Sequence, residues 1–216
     1  DKGGWTGNRG DWDPDPKFYP NGLKPLGDAL KRMGFGFLLW MAPEQALQGS
    51  TIQTQHPDWF LPPNQNNMCL LKLVDPNVTK GITDYVTKIM QDAGPTCFRQ
   101  DFDLYPGGPP EAPDRIGMND IQYVTNFYAF WDGLRNNIPG FQIDNCDSGG
   151  KRLDLETMMR SYSLWRSDAM VGGFDPSSQQ RQTQGMIPWW PMSGGISFID
   201  EKLEPGSPKE LYQQRR

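Results

Sequence analysis

A chain of 216 residues with a formal net charge of −5 and 22% charged residues can bury one sizeable core and has the composition of an ordinary globular protein. Acids and bases are interspersed, which argues against a nucleic-acid or anionic-membrane surface, and no apolar run approaches the roughly 20 residues of a membrane span. Three cysteines, Cys69, Cys97 and Cys146, are odd in number and lack metal-ligand spacing, and His56 is the sole histidine. A disulfide framework, multi-histidine metal centres and His-dependent nucleophile triads are therefore set aside, and the cysteines read as reduced thiols. The chain opens on Asp1 within a loop-like stretch, so a fragment is expected and the compartment stays unassigned.

Residues 1–22 are rich in Gly, Asp, Pro and Trp and show no helical period, which predicts a long loop. Leu23, Leu26, Leu30 and Met33 then fall at helical spacing ahead of Gly34, predicting a helix over 23–33. Phe35 to Met41 is a continuous apolar run, the signature of a buried parallel strand, and 42–67 turns polar and Pro-containing again. A third apolar run, Met68 to Val74, is expected to be a strand. Asp75-Pro76 then supplies an N-cap and first-turn proline for a helix to about Asp92, with Val78, Ile82, Tyr85, Val86 and Ile89 as its apolar stripe.

Beyond Gly94-Pro95 come a strand over 96–102, a Gly/Pro loop, a helix over 120–135 and a strand over 141–146. Ser148-Gly149-Gly150 follows, then an amphipathic segment over 153–160, a strand from Tyr162 ending at Asp168, a helical stretch at 179–184 and a further strand at 186–190. Strands alternating with helices across short returns indicate parallel β/α units, either an open doubly wound sheet or a barrel. The absence of a Gly-rich phosphate loop, and the recurrence of polar groups after nearly every strand, favour the barrel. The fold expected is α/β, an incomplete (β/α)8 barrel lacking its first and last strands, as a single partial catalytic domain over 1–216 whose tail, 196–216, leads toward the missing strand.

Cys97 to Asp103 carries the most informative charge. As a strand it places Arg99, Asp101 and Asp103 on one face, which is costly to bury and suits either a paired sheet edge or the working end of a barrel strand. On the barrel reading the strand ends also present Trp40 with Glu44, Lys72 with Asp75, Asp144 with Cys146, and Arg166 with Asp168. Carboxylates converging on one mouth, one kept ionised by a cation such as Arg99, meet the needs of glycosidic bond cleavage, and the eight tryptophans suit stacking on sugar faces. Simpler roles compete: Glu44 as a helix cap, Asp75 as an N-cap, His56 as loop packing, Asp147 and Asp154 as caps, and the glycines after Ser148 as a turn or a close approach to a ligand.

At these residues the chain resembles the α-galactosidases of glycoside hydrolase family 36, and more distantly family 27. The resemblance runs through Gly10-Asp11-Trp12, Pro20-Asn21-Gly22-Leu23-Lys24, Leu39-Trp40 with Pro43-Glu44, His56-Pro57-Asp58-Trp59, Arg99-Gln100-Asp101-Phe102, Cys146 with Ser148-Gly149-Gly150 and Arg152, and Trp165-Arg166-Ser167-Asp168. It implies a retaining mechanism in a (β/α)8 barrel, with Asp101 as nucleophile and Asp168 as acid/base. It further implies that Trp40 stacks in the galactose pocket, that Arg99 and Arg166 contact sugar hydroxyls, and that Cys146, Gly149 and Arg152 shape the pocket wall. Asp1 is a shifted candidate for an acidic pair, because Lys2 stands in the expected slot; Lys72 and Asp103 also depart from the family pattern.

No metal or organic cofactor is implied. The partner expected is an α-galactoside oligosaccharide rather than nucleic acid or membrane, and a homo-oligomeric parent is compatible with the resemblance. Rival expectations are an α-N-acetylgalactosaminidase, a galactosyl transglycosidase and, from another class, an inactive or sugar-binding barrel fragment.

Overall fold

The computed structural model describes residues 7–101, 108–150, 152–162, 184–185 and 188–189. The chain divides into two compact units, Asp1–Ile143 and Asp144–Arg216.

The first unit opens with a loop and then α1, Lys24–Arg32, which has Pro25 in its first turn and Lys31 and Arg32 in its last. Gly34, at φ 76°, lets Phe35 N–H donate to Leu30 O at 3.0 Å and Gly34 N–H to Lys31 O at 3.1 Å, the paired bonds that close a helix on a left-handed residue. The glycine that predicted the helix end is therefore the one that makes it. β1, Leu38–Met41, follows.

The polar stretch after β1 holds more structure than its composition suggested. β2, Gln45–Leu47, pairs antiparallel with β3, Met68–Leu70, and between them lie the short helix α2, Thr51–Gln55, and a 3-10 turn, Pro57–Trp59. The strand expected over 68–74 is thus corrected: it is short and antiparallel, and it joins a separate two-stranded sheet. Period-two alternation looks the same in either direction, so sequence pattern could not distinguish them.

α3, Pro76–Ala93, begins as its sequence predicted, with the Asp75 side chain accepting from Asn77 N–H at 2.8 Å, and it ends at Gly94, φ 72°. Val78, Ile82 and Val86 are buried as expected, Met90 joins them, and Tyr85 and Ile89 are only partly buried. Three threonines are buried beside that stripe: Thr79 and Thr83 donate their hydroxyls to carbonyls one turn back, as in Thr83 Oγ1 to Thr79 O at 2.7 Å, and Thr87 Oγ1 accepts from Asn137 Nδ2 at 3.2 Å. α4, Met118–Asn137, buries Tyr123, Phe127, Phe130, Trp131 and Leu134 and packs along α3, where a Cβ on Gly133 would lie 2.7 Å from the methyl of Thr83. Glu111 receives the N–H groups of Gly117 and Asn119 at the start of α4, and those bonds hold its carboxyl below the usual carboxylate range.

β4, Cys97–Gln100, lies parallel to β1, with Trp40 opposite Arg99 and Met41 opposite Gln100, and the sheet order is β1-β4-β5, with β5 at Gln142–Asn145. Alternation along β4 sends Phe98 and Gln100 to one face, both fully buried, and Cys97 and Arg99 to the other. Phe98 meets Phe130 edge to face at 6.4 Å, so the helices cover the Phe98 face. This is a mixed α/β arrangement with a parallel sheet, and no closed barrel forms among the described residues.

In the second unit, Asp144 bridges Tyr162 in parallel, and Asn145 N–H donates to Tyr162 O at 2.7 Å. A turn at Asp147–Gly150 leads to a one-turn helix, Leu155–Met158, capped reciprocally by Asp154 and Thr157. The strand expected from Tyr162 to Asp168 lies, beyond Tyr162, outside the described residues. So do nearly all of the segments expected at 179–190 and the whole 196–216 tail. No helix among the described residues is long and apolar enough to cross a membrane, and no disulfide links the three cysteines.

Candidate active site

Asp101 follows directly on β4, where its backbone N–H donates to Met41 O at 3.2 Å, continuing the ladder to the end of β1. Its side chain therefore falls on the Arg99 face, away from Phe98 and Gln100. On the neighbouring strand Trp40 occupies the same face, in register with Arg99, and its indole Nε1–H donates to Asp101 Oδ2 at 3.0 Å. Three residues the sequence singled out are thus gathered at the ends of two paired strands. That hydrogen bond fixes the rotation of the Asp101 carboxylate.

Beside Trp40 opens a cavity of about 240 Å³, with Asp11, Trp12, Asp13, Tyr19, Leu39 and Trp40 among its lining residues. Trp12 meets Trp40 edge-on, the ring centroids 6.2 Å apart and the planes at 63°. The loop that brings Trp12 there is anchored firmly. Asp11 Oδ1 accepts from both Thr51 N–H and Thr51 Oγ1 at 2.6 Å, and Gly10 O accepts from Ile52 N–H at 3.1 Å. Gly10 is required here: its φ is 101°, and a Cβ would lie 2.2 Å from Ser50 Oγ. Close by on α3, the Tyr85 phenol is pushed up to about 12, first by burial and then by the charges of Asp13 and Asp11.

Other expected groups have structural roles. Glu44 caps no helix; it is 2% exposed and accepts hydrogen bonds from Gln100 Nε2 at 2.9 Å and from Tyr123 Oη. His56 stacks on Trp59 at 3.8 Å, the loop packing anticipated for it, and Asp75 is the N-cap. Trp12 and Gln100 were not assigned to a site from the sequence, although both lay within motifs that carry the resemblance. A neutral amide in an apolar strand carries no periodicity of its own, and Glu44 was placed at a strand end beside Trp40 without its partners.

In the second unit Cys146 is buried, and the next three residues, Asp147, Ser148 and Gly149, all have positive φ, of 44°, 50° and 91°. Two successive non-glycine residues there store backbone strain. The Arg152 guanidinium Nε lies 3.3 Å from Asp147 Oδ2, and Arg152 O accepts from Asn145 Nδ2 at 2.6 Å and from Thr157 Oγ1 at 2.8 Å. Asp147 is therefore an ion-pair partner in a strained turn rather than a simple cap. Asp168, Arg166, Asp103 and Asp1 lie outside the described residues.

The parallel sheet, with an acid directly after β4, defines a mixed α/β protein. Residues 3–202 match the model of the Melibiase family, and the chain belongs to that family, the glycoside hydrolase family 36 α-galactosidases.

Among its relatives, the probable α-galactosidase C of Aspergillus flavus is 30% identical over 188 residues, covering 76% of this chain and 24% of that protein. An α-galactosidase of Escherichia coli is 29% identical over 167 residues, covering 74% and 23%. In fold, the chain is similar to the family 36 α-galactosidase AgaA from Geobacillus stearothermophilus, with a TM-score of 0.68 at 24% identity over 82% of this chain and 25% of that one. It is similar also to a variant of AgaA in complex with stachyose, with a TM-score of 0.68 at 20% identity over 96% and 34%. The chain thus spans about a quarter of the length of the curated relatives it matches.

Proposed function

We propose that this chain is part of the catalytic (β/α)8 barrel of a retaining α-galactosidase that removes terminal α-galactosyl residues from oligosaccharides. The observation that carries this reading is the Asp101 carboxylate at the end of β4, held by the Trp40 indole at 3.0 Å on the face shared with Arg99. An Asp101 oxygen forms a bond to the anomeric carbon as the bond from that carbon to the leaving oxygen breaks, and Asp168 gives its proton to the leaving oxygen. In the second step Asp168 takes a proton from water, whose oxygen attacks the same carbon and releases Asp101. Arg99 favours the ionised nucleophile, while the Trp40 ring and the cavity beside it offer apolar faces to a sugar. Arg166, Cys146, Gly149, Arg152 and Asp1 are proposed as further contacts on the strength of the family resemblance.

The test is hydrolysis of an aryl α-galactoside by the full-length protein beside Asp101→Ala. Wild type is expected to turn over, and the variant to lose activity by at least about 10³-fold. Azide should restore turnover in the variant, releasing a β-galactosyl azide. A variant that keeps its activity, or rescue that yields the α-azide, would overturn the assignment.

A further inference from the structure

The proposed reaction gives the buried acid Glu44 no task. Glu44 sits in the turn between β1 and β2, and its carboxylate accepts from Gln100 Nε2 at 2.9 Å and from Tyr123 Oη of α4. Gln100, fully buried, accepts in turn from Trp131 Nε1 at 2.7 Å. The Gln100 amide can face only one way, because an indole N–H only donates and a carboxylate accepts. The chain of bonds therefore has a fixed direction, Trp131 to Gln100 to Glu44, with Tyr123 closing it.

Burying a carboxylate is expensive, and apolar side chains of equal volume commonly give as much stability or more. What such a network does supply is a defined geometry, and its location says which. It ties the turn after β1 to the last residue of β4 and to two successive regions of α4. Gln100 immediately precedes Asp101 and points to the helix-covered face, while Asp101 points to the other. Holding the Gln100 side chain thus fixes the rotation of the peptide that presents Asp101.

We propose that Glu44, acting through Gln100, is a positioning residue for Asp101. It sets the angle at which the Asp101 carboxylate meets the Trp40 indole and, in the reaction, the anomeric carbon. The catalytic half of this statement rests on Asp101 being the nucleophile. A misplacement of about 1 Å at a reacting group can cost on the order of 100-fold in rate, so a tether on the far side of the strand has leverage over chemistry it never touches.

An exchange of the two side chains tests it. In Gln100→Glu two carboxyl groups face each other, and the amide donor to Glu44 is replaced by repulsion or by a shared proton, either of which moves the two side chains. In the double exchange, Glu44→Gln with Gln100→Glu, the amide at position 44 donates to the carboxylate at position 100, which still accepts from Trp131, and the amide oxygen accepts from Tyr123. All three hydrogen bonds and the net charge are kept.

With the full-length protein and an aryl α-galactoside, Gln100→Glu is expected to lower kcat per folded molecule by about 10- to 100-fold, with KM within about threefold, and the double exchange to recover most of it. Unchanged kcat per folded molecule in Gln100→Glu would sink the proposal. So would a double exchange that restores the thermal midpoint but not kcat. Should Gln100→Glu fail to fold, Gln100→Met, which removes the bond to Glu44 at similar volume, carries the same expectation for kcat and KM.

A second readout does not depend on turnover: the indole N–H resonance of Trp40, assigned by its loss in Trp40→Phe. It should shift in the single variant and return in the double. A full-length wild type that cleaves no α-galactoside would defeat the proposed function and leave this resonance to decide the tether; a resonance that stays put in Gln100→Glu would defeat the tether alone.

Discussion

At the scale of single residues, charge decides most of what is distinctive. Tyr85 lies partly buried near Asp11 and Asp13, which raises its phenol from 10.0 to about 12. The neutral phenol is therefore favoured in the folded state. Its contribution to stability is whole below pH 10, where the unfolded chain also keeps the proton, and drains away between pH 10 and pH 12. A spectroscopic titration should find one phenolate appearing near pH 12, and Tyr85→Phe should blunt the alkaline loss of stability between those two values. A phenolate population complete by pH 11 would contradict the burial of Tyr85.

Much of the residue-level site was legible in the sequence. Arg99 and Asp101 on one strand face, Trp40 on a neighbouring strand and Asp75 at a helix start all follow from side-chain periodicity and charge. The Glu44 carboxylate was seen but misplaced, because a glutamate after a proline at a strand end looks like a cap until its partners are known. Those partners, Gln100 and Tyr123, are 56 and 79 residues away, and no local pattern announces a pairing across such a distance.

At the scale of elements, sequence punctuation is reliable where caps and glycines do the work. α3 begins at an Asp-Pro pair and ends on a left-handed glycine, and both signals were readable. Replacing Asp75 by Ala removes an acceptor from an otherwise unsatisfied N–H of Asn77 in the first turn, and should cost about 1 kcal/mol, measured as a lower urea midpoint with an unchanged denaturant slope. No loss would mean that Pro76 and packing against α4 suffice to start the helix. The β2–β3 pair was not readable: its strands are three residues each, too short for alternation to register, and their partnership is set by tertiary contacts.

At the scale of the whole molecule, the edges of the sheet bear on whether the chain folds alone. Among the described residues β1 lies at an edge of the three-stranded sheet, while β5 goes on to bridge Tyr162, and an unpaired strand edge is a poor foundation for a stable domain. The 216-residue chain alone is expected to show turnover far below that of the full-length protein on the same aryl α-galactoside. Equal specific activity of the two would show that this portion folds and works by itself. Family membership follows from the matched length.

The anchoring of the Gly10–Trp12 loop has a wider consequence. Arg9 O accepts from Leu47 N–H at 2.8 Å, and Gly10 and Asp11 are held by Ile52 and Thr51. The backbone of the wall that carries Trp12 is therefore fastened to the excursion inserted after β1, while its ring edge rests on Trp40 of the parallel sheet. Residues 45–55 behave as a cassette: a relative's version grafted in its place would carry its own wall geometry with it, and a lineage could retune what the cavity accepts while leaving the strand that bears Asp101 unaltered.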